Sequence, residues 1–130
     1  MTADGSSGAA GPVVIIGAAR SGTKILRSML AAHPSLSAVP FDINYVWMAR
    51  HQGRRDDELV AADATPAACR FIREYLGNFA APGTRVVEKT VGNTLRVPFV
   101  DRVFPDAVYI HLVRDGRDVA ASARVQWRKP

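Results

Sequence analysis

The chain has 130 residues, enough for one domain with a modest hydrophobic core and too few for two domains. Hydrophobic residues make up 48% and charged residues 22%, which is the composition of a soluble globular protein. The formal net charge is +5, but the arginines are dispersed rather than clustered in runs, so charge does not favour a nucleic-acid partner.

Residues 1–12, MTADGSSGAAGP, are typical of a flexible tail, since they are rich in Gly, Ser and Ala and lack the apolar segment of a secretory signal. The only cysteine is Cys69, so no disulfide and no cysteine-rich metal site can form within the chain, and we expect a reducing, cytoplasmic setting. No apolar run approaches the roughly 20 residues that cross a membrane. We therefore expect one folded domain over residues 13–130, with no membrane span.

The first predicted element is a strand at Val13–Ile16, because a short all-apolar run that ends in glycine suits a strand buried on both faces. From Thr23 to about Ala32, apolar residues recur with helical spacing and predict an amphipathic helix. Pro34 ends that helix, since the residue before proline is disfavoured in the helical region. A further helix is expected over residues 41–50.

The second half of the chain continues the alternation of helices and strands. Thr65 is a suitable cap for a helix that has Pro66 in its first turn. The elements predicted after it are a strand at 85–88, a helix at 97–103, a strand at 107–113 and a helix from about Asp118 onward. This alternation predicts a three-layer α/β fold with a mainly parallel sheet. Because the last helix has no end signal after Trp127, we expect the natural domain to continue beyond Pro130.

The stretch IIGAARSGTK joins the first strand to the first helix. It nearly matches the P-loop pattern G-x-x-x-x-G-K-[ST], except that Thr23 precedes Lys24. Backbone N–H groups of this loop and the positive end of the following helix together form a cradle for an anion. The fold is therefore expected to be P-loop NTPase-like. The alternative is that Gly17 and Gly22 only shape the turn between strand and helix.

The side chains of the loop also favour an anion. Arg20 provides a forked, permanently charged donor for two oxygens, and Ser21 and Thr23 add hydroxyls. In nucleotide triphosphatases the lysine reaches the phosphates and the next hydroxyl binds magnesium, whereas here the order is reversed. Apart from Glu88 no acidic residue stands at a strand end to hold a metal. We expect no metal site, although a small-molecule kinase with an altered loop remains an alternative.

Two further polar segments follow predicted strands, EKTVGN and VRDGRDVAAS. Because the carboxyl ends of parallel strands open on the same edge of a sheet, Arg20, Lys89 and Arg114 should converge on one crevice. Ser122 lies about two turns along the last helix, so that it and Arg114 could hold a second phosphate apart from the first. Two separate phosphate sites suggest a nucleotide with phosphates at both its 5′ and its 3′ end.

These segments resemble sulfotransferases that use 3′-phosphoadenosine 5′-phosphosulfate (PAPS). IIGAARSGTKILRSMLAAHPSL looks like the 5′-phosphosulfate loop, and VVEKTVGNTLRVPFVDRVFPDAVYIHLVRDGRDVAAS resembles the middle strand and 3′-phosphate motif. The resemblance covers roughly residues 13–124 and includes the tyrosylprotein, carbohydrate and bacterial branches. It implies transfer of a sulfuryl group from PAPS, without a metal, to a hydroxyl or amine of a small molecule, carbohydrate or peptide.

The resemblance also implies roles for individual residues. Arg20 would stabilise the bridging oxygen of the donor, supported by Lys24 and assisted by Lys89. Lys89 could instead be a partner for Glu88 or a solvated strand end. The donor would be held at its 5′ end by Gly17, Arg20, Ser21, Gly22, Thr23 and Lys24 and at its 3′-phosphate by Arg114 and Ser122.

Two further points bear on catalysis. Relatives use a glutamate shortly after the first helix as general base, and the nearest equivalent is Asp42, which could equally cap a helix. Tyrosylprotein relatives also place an arginine where this chain has Gln126. Family members are about twice as long and cover the nucleotide with a later basic loop, so a nucleotide-binding fragment without turnover is the alternative to an enzyme.

Overall fold

The fold is taken from a computed structural model that describes residues 10–130. Strands and helices alternate along these residues, as the sequence predicts. The strands are β1 (Val13–Ile16), β2 (Leu36–Ala38), β3 (Arg85–Lys89) and β4 (Val108–His111). The helices are α1 (Thr23–Ala31), α2 (Asn44–Trp47), α3 (Pro66–Gly77), α4 (Val97–Val103) and α5 (Gly116–Trp127), with short 3₁₀ helices at Ala61–Asp63 and Val91–Leu95.

The strands form one parallel sheet in the order β2-β3-β1-β4. In the central strand, Val14 pairs with Glu88 of β3 on one side and with Tyr109 of β4 on the other. Parallel neighbours need crossover connections, and right-handed crossovers place α1 on one face and α3 with α4 on the other. The predicted α/β fold with a parallel sheet is therefore confirmed.

Strand β2 is absent from the sequence prediction, which has three strands. Leu36–Ala38 spans only three residues, and its sequence LSA contains no β-branched or aromatic residue to mark a strand. It forms because Ser37 pairs with Val86 at the edge of the sheet, beside a strand that is already in place. Tertiary pairing, rather than local preference, creates this strand.

Part of the apolar stripe of α1 is turned to solvent. Ile25 and Met29 are each 68% exposed, whereas Thr23 and Arg27 are buried. Thr23 and Arg27 lie four residues apart and therefore share one side of the helix, the side that is turned inward. The inward side of α1 therefore includes polar side chains.

The core lies on the other face, between the sheet and helices α2 to α4. Trp47 is at its centre and makes edge-to-face contacts with Phe99, at 6.4 Å between ring centroids, and with Phe104, at 6.2 Å. Ile72 of α3 and Val14 of β1 belong to the same buried cluster. Such aromatic pairs add to the stability that burial of apolar area provides.

Several boundaries differ from the sequence prediction. The helix predicted over 41–50 is reduced to α2, and the strand predicted over 107–113 is reduced to β4. Most of the predicted tail lies outside the described residues, but Gly11 and Pro12 are buried. The Pro12 carbonyl accepts a hydrogen bond of 3.0 Å from the amide of Val108. Among the described residues, no helix combines the length and the apolar character that crossing a bilayer requires.

The start of α3 offers a test of the fold. Thr65 is its N-cap, and the Thr65 side chain accepts a hydrogen bond from the amide of Ala68 at 3.2 Å. Thr65→Ala removes that acceptor and should lower the free energy of unfolding by about 1 kcal/mol, measured by urea denaturation. Thr65→Ser keeps the hydroxyl and should stay near the wild-type value. Equal losses in both variants would show that the cap does not stabilise α3.

Candidate functional site

The candidate site lies at the carboxyl edge of the sheet, where every strand ends in a polar segment. The segment after β1 carries Arg20, and the segment after β2 carries Asp42. Strand β3 ends in Lys89, and the segment after β4 carries Arg114. Because the strands are parallel, these four side chains belong to one edge of the molecule.

The loop after β1 is fixed at its first glycine. The amide of Gly17 donates to the Thr94 hydroxyl at 2.9 Å, and that hydroxyl donates to the Gly17 carbonyl at 3.0 Å. A Cβ at this position would lie 2.6 Å from the carbonyl oxygen of Leu112, so only glycine allows this approach. Thr94, which sequence reasoning missed, therefore attaches the loop to the segment that follows β3.

The rest of the loop leads into α1. Arg20 has a φ of 66°, in the left-handed region that non-glycine residues seldom adopt, and Gly22 has a φ of 95°. The Ser21 hydroxyl donates to the carbonyl of Ala18. Helix α1 begins at Thr23 without a capping hydrogen bond from any described side chain, so its first N–H groups remain available at the positive end of the helix.

A cavity of about 460 Å³ opens beside this loop. We call it the basic cavity, because four of its lining residues are cationic. Its lining residues are Ala19, Arg20, Gly22, Thr23, Lys24, Ile25, Lys89, Val91, Arg114 and Ser122. The predicted convergence of Arg20, Lys89 and Arg114 on one crevice is thus observed.

The residues predicted to hold the two phosphates lie next to each other. Arg20 Nε donates to Ser122 Oγ at 3.0 Å, and Arg114 Nη1 donates to the Arg20 carbonyl at 3.0 Å. The residues assigned to the two ends of a nucleotide are therefore in direct contact and line one cavity. The left-handed backbone of Arg20 turns its carbonyl toward Arg114, a feature that the sequence pattern does not contain.

Lys89 is only 8% exposed, although it ends a strand. Its ammonium lies 4.0 Å from a carboxylate oxygen of Asp42. Burial lowers the pKa of Lys89, and the Asp42 carboxylate opposes that shift. Successive strand residues point to opposite faces, so Lys89 does not pair with its neighbour Glu88. Neither alternative for Lys89, a partner of Glu88 or a solvated strand end, applies.

Asp42 has contacts of both kinds that the sequence left open. Its Oδ1 accepts from the amide of Asn44 at 3.1 Å, as expected of a residue before a helix, and its Oδ2 accepts from the amide of Val91 at 3.2 Å. The same Oδ2 faces Lys89. The backbone contacts hold the carboxylate at the edge of the basic cavity, where it is partly exposed.

Beneath the site lies a network of buried polar side chains. Glu88 is fully buried and accepts from the Thr90 hydroxyl at 2.5 Å and from Asn93 Nδ2 at 2.8 Å. Arg96 is fully buried as well and donates from Nε to Asn93 Oδ1 at 2.7 Å. Buried charges are tolerated only when they are hydrogen-bonded in this way. The network therefore fixes the segment that follows Lys89.

The network continues to the surface through Arg96. Its Nη2 donates to Asn44 Oδ1 at 2.6 Å, and Asn44 Nδ2 donates to Asp57 Oδ1 at 2.9 Å. Sequence reasoning missed all three residues, since the contacts join segments that are far apart in the chain. The only available signal was the polar run EKTVGN after β3, which contains Asn93 but not Arg96.

A second cavity, of about 500 Å³, adjoins the first. We call it the acidic cavity, because its charged lining residues are two aspartates. Val91 lines both cavities. The acidic cavity is lined by Gly17, Ala18, Asp42, Asn44, Asp57, Val91, Gly92, Thr94 and Leu95.

The fold and the basic cavity together define a class of protein. The chain is an α/β domain with a glycine-bounded loop between the first strand and the first helix, and with cations from the next strands around that loop, an arrangement suited to an anion. Residues 12–129 match the model of the Sulfotransferase family. The chain therefore belongs to the sulfotransferase family, and the resemblance seen in the sequence is confirmed at that level.

Individual relatives are similar at lower identity. The chain is 29% identical over 118 residues to protein-tyrosine sulfotransferase 2 of Gallus gallus and 27% identical over 118 residues to protein-tyrosine sulfotransferase 1 of Homo sapiens. Each match covers 82% of this chain. Nodulation protein NoeE of Sinorhizobium fredii is 28% identical over 134 residues, which cover 89% of this chain. The matched region is 32% of the length of each of these relatives.

The buried carboxyl of Glu88 makes the stability of the fold depend on pH. Burial raises the pKa of Glu88 from 4.5 to about 7, against the opposing effect of the Thr90 hydroxyl. The folded state binds the proton of Glu88 more tightly than the unfolded state does. The contribution of this proton to the free energy of unfolding is therefore fully present below pH 4.5 and is lost as the pH rises through about 7. Glu88→Gln cannot ionise, so its unfolding free energy should fall less than that of the wild type over this range.

The measurement is urea denaturation of both proteins between pH 4.5 and about 7. Glu88→Gln loses one hydrogen bond and is expected to be less stable at the acidic end. The informative quantity is therefore the slope with pH. Glu74→Gln, on an exposed position of α3, serves as the control and should keep the wild-type slope. Equal slopes for Glu88→Gln and the wild type would show that Glu88 is not the titrating group.

Proposed function

We propose that this domain binds PAPS in the basic cavity and transfers its sulfuryl group to a hydroxyl or amine acceptor. The observation that carries the proposal is the convergence of Arg20, Lys24, Lys89, Arg114 and Ser122 on one cavity beside the N-terminus of α1. A doubly phosphorylated nucleotide requires cations at two positions of one site. The family to which the chain belongs supports the type of reaction.

The donor would lie with its 5′-phosphosulfate against the loop and the first turn of α1. Gly17 and Gly22 let the backbone approach the anion, and the hydroxyls of Ser21 and Thr23 flank it. The 3′-phosphate would contact the guanidinium of Arg114 and the hydroxyl of Ser122. The contact between Arg20 and Ser122 supports one continuous site, because it brings the two ends of the cavity within hydrogen-bond distance.

In the transfer step, an acceptor oxygen or nitrogen forms a bond to sulfur while the bond between sulfur and the bridging oxygen breaks. The leaving group is adenosine 3′,5′-bisphosphate, and negative charge grows on its bridging oxygen. By analogy with phosphoryl transfer, the protein contributes alignment and charge stabilisation. Arg20 would stabilise the bridging oxygen, with Lys24 and Lys89 in support, since all three line the basic cavity.

Asp42 would accept the proton that the acceptor loses. Its Oδ2 lies 4.0 Å from the Lys89 ammonium, so an acceptor atom placed beside this pair could contact the carboxylate and the ammonium at the same time. Two backbone amides hold the carboxylate and keep it from turning away. This arrangement does not depend on a metal ion.

The matched region is about a third of the length of the relatives, which favours a second candidate function. In that case the domain binds the nucleotide, and turnover depends on segments outside this chain. A kinase that uses ATP and magnesium is the third candidate. The reversed order of Thr23 and Lys24 disfavours it, because the hydroxyl that binds magnesium normally follows the lysine.

Calorimetry separates the donor classes. Adenosine 3′,5′-bisphosphate should bind more tightly than ATP with or without magnesium, and Arg114→Ala should weaken it by about ten- to a hundredfold through loss of a charged hydrogen bond. Arg117→Ala is the matched control, since Arg117 lies three positions further on and pairs only with Asp115 among the described residues. Tighter binding of ATP with magnesium would overturn the proposal in favour of a kinase.

Transfer itself depends on Arg20. Arg20→Ala should lower the rate of sulfuryl transfer from PAPS by about a hundred- to a thousandfold, because the growing charge loses its main donor. Binding of adenosine 3′,5′-bisphosphate should fall far less, which separates catalysis from donor affinity. A variant that keeps full transfer activity would exclude Arg20 from the reaction. Binding of the bisphosphate by the wild type without turnover of any acceptor would favour the nucleotide-binding fragment.

A further inference from the structure

The acidic cavity adjoins the basic cavity, in which the donor is proposed to lie. Val91 lines both, and Gly17 and Ala18 of the acidic cavity precede Ala19 and Arg20 of the basic one. Its volume of about 500 Å³ lies within the range of small-molecule sites. We propose that the acidic cavity binds the acceptor and selects acceptors that carry a protonated amine next to Asp57. This inference rests on the proposed function.

The junction of the two cavities marks the reacting end of the acceptor. Lys89 lines the basic cavity, Asp42 lines the acidic cavity, and 4.0 Å separates their charged atoms. The Lys89 side chain is about nine-tenths buried, and it lines the basic cavity. Its ammonium faces the Asp42 carboxylate at 4.0 Å, longer than a hydrogen bond, so its donors are available to a bound oxygen at this point.

The opposite wall of the acidic cavity presents a carboxylate in a fixed position. Arg96 holds Asn44 from behind, and Asn44 holds Asp57 Oδ1. The other oxygen, Oδ2, accepts no hydrogen bond from a described residue and lies beside Gly92, where a Cβ would come within 3.2 Å of it. Asp57 thus has one oxygen committed to the wall and one that can accept from a ligand.

The charges around the cavity favour a cation. Among its lining residues Asp42 and Asp57 are acidic and none is basic. Two cations lie outside the lining, Lys89 beyond Asp42 and Arg96 beside Asn44. The Asp57 carboxylate attracts the Arg96 guanidinium, but Arg96 donates its hydrogen bonds to the backbone carbonyl of Asp57 and to Asn44 rather than to that carboxylate. A protonated amine would gain a charged hydrogen bond to Asp57, whereas a carboxylate on the acceptor would be repelled.

The experiment compares acceptors that differ only in charge. One set is tyramine, N-acetyltyramine and para-hydroxyphenylacetate, and a second is glucosamine, N-acetylglucosamine and glucuronate. Transfer of radiolabelled sulfuryl group from PAPS gives kcat/KM for each compound. Within a set that is sulfated, kcat/KM for the amine should exceed kcat/KM for the amide by about tenfold, and that for the carboxylate by more. The reason is that only the amine can form a charged hydrogen bond to Asp57.

Asp57→Asn tests the assignment to this residue. Asparagine keeps an oxygen for the bond from Asn44 but removes the charge, so the ratio of kcat/KM for the amine to kcat/KM for the amide should fall about tenfold. Asp56→Asn is the matched control, because Asp56 is the exposed neighbour outside the acidic cavity. If Asp57 had a purely structural role, Asp57→Asn would lower kcat/KM for all three acceptors by the same factor.

The outcomes are distinguishable from a failure of the proposed function. Three results would overturn the inference alone: preference for the amide or carboxylate, an equal loss for all acceptors in Asp57→Asn, or no sulfation of either amine by protein that sulfates another acceptor. Binding of adenosine 3′,5′-bisphosphate without transfer to any acceptor would overturn the proposed transfer together with the inference. If calorimetry detects no binding of the bisphosphate, the proposed function and the inference fail together.

Discussion

The parallel pairing of the strands is the constraint on which the site depends. Because β1, β3 and β4 run in the same direction, Arg20, Lys89 and Arg114 reach one edge although up to 94 residues separate them in the chain. Parallel strands also require crossover helices, and the crossover after β1 places the N-terminus of α1 at that same edge. The basic cavity therefore depends first on the common direction of the strands, and only then on which side chains they carry.

Charge is distributed over the two faces of β3. Lys89 points toward the cavities, and Glu88 points into the interior. There Thr90 and Asn93 donate to Glu88, and Arg96 donates to Asn93. Breaking such a network by removal of one partner costs several kcal/mol, typically about 3–5, because a charge remains buried without compensation. The functional edge is thus supported from below by polar contacts rather than by apolar packing, and this limits how far the segment after Lys89 can move.

Much of this arrangement can be predicted from the sequence, because it follows from local rules. The turn from Val13–Ile16 into α1, the cap at Thr65 and the polar residues after each strand all depend on neighbours in the chain. What could not be predicted depends on distant partners. Strand β2 forms through its pairing with β3. Arg27 is buried in α1 although it is charged. Asp57 is held at the site by Asn44, which in turn accepts a hydrogen bond from Arg96. Neither spacing nor composition records such contacts.

The left-handed backbone of Arg20 lowers stability at a position whose side chain lines the basic cavity. A non-glycine residue in that region costs about 1 kcal/mol, and glycine would relieve the strain. Selection for thermal stability alone would therefore favour glycine at position 20, although glycine would remove the guanidinium from the basic cavity. A loop relaxed in that way would lose one of the four cations that line the basic cavity, so local stability and the charge of the cavity oppose each other at this residue.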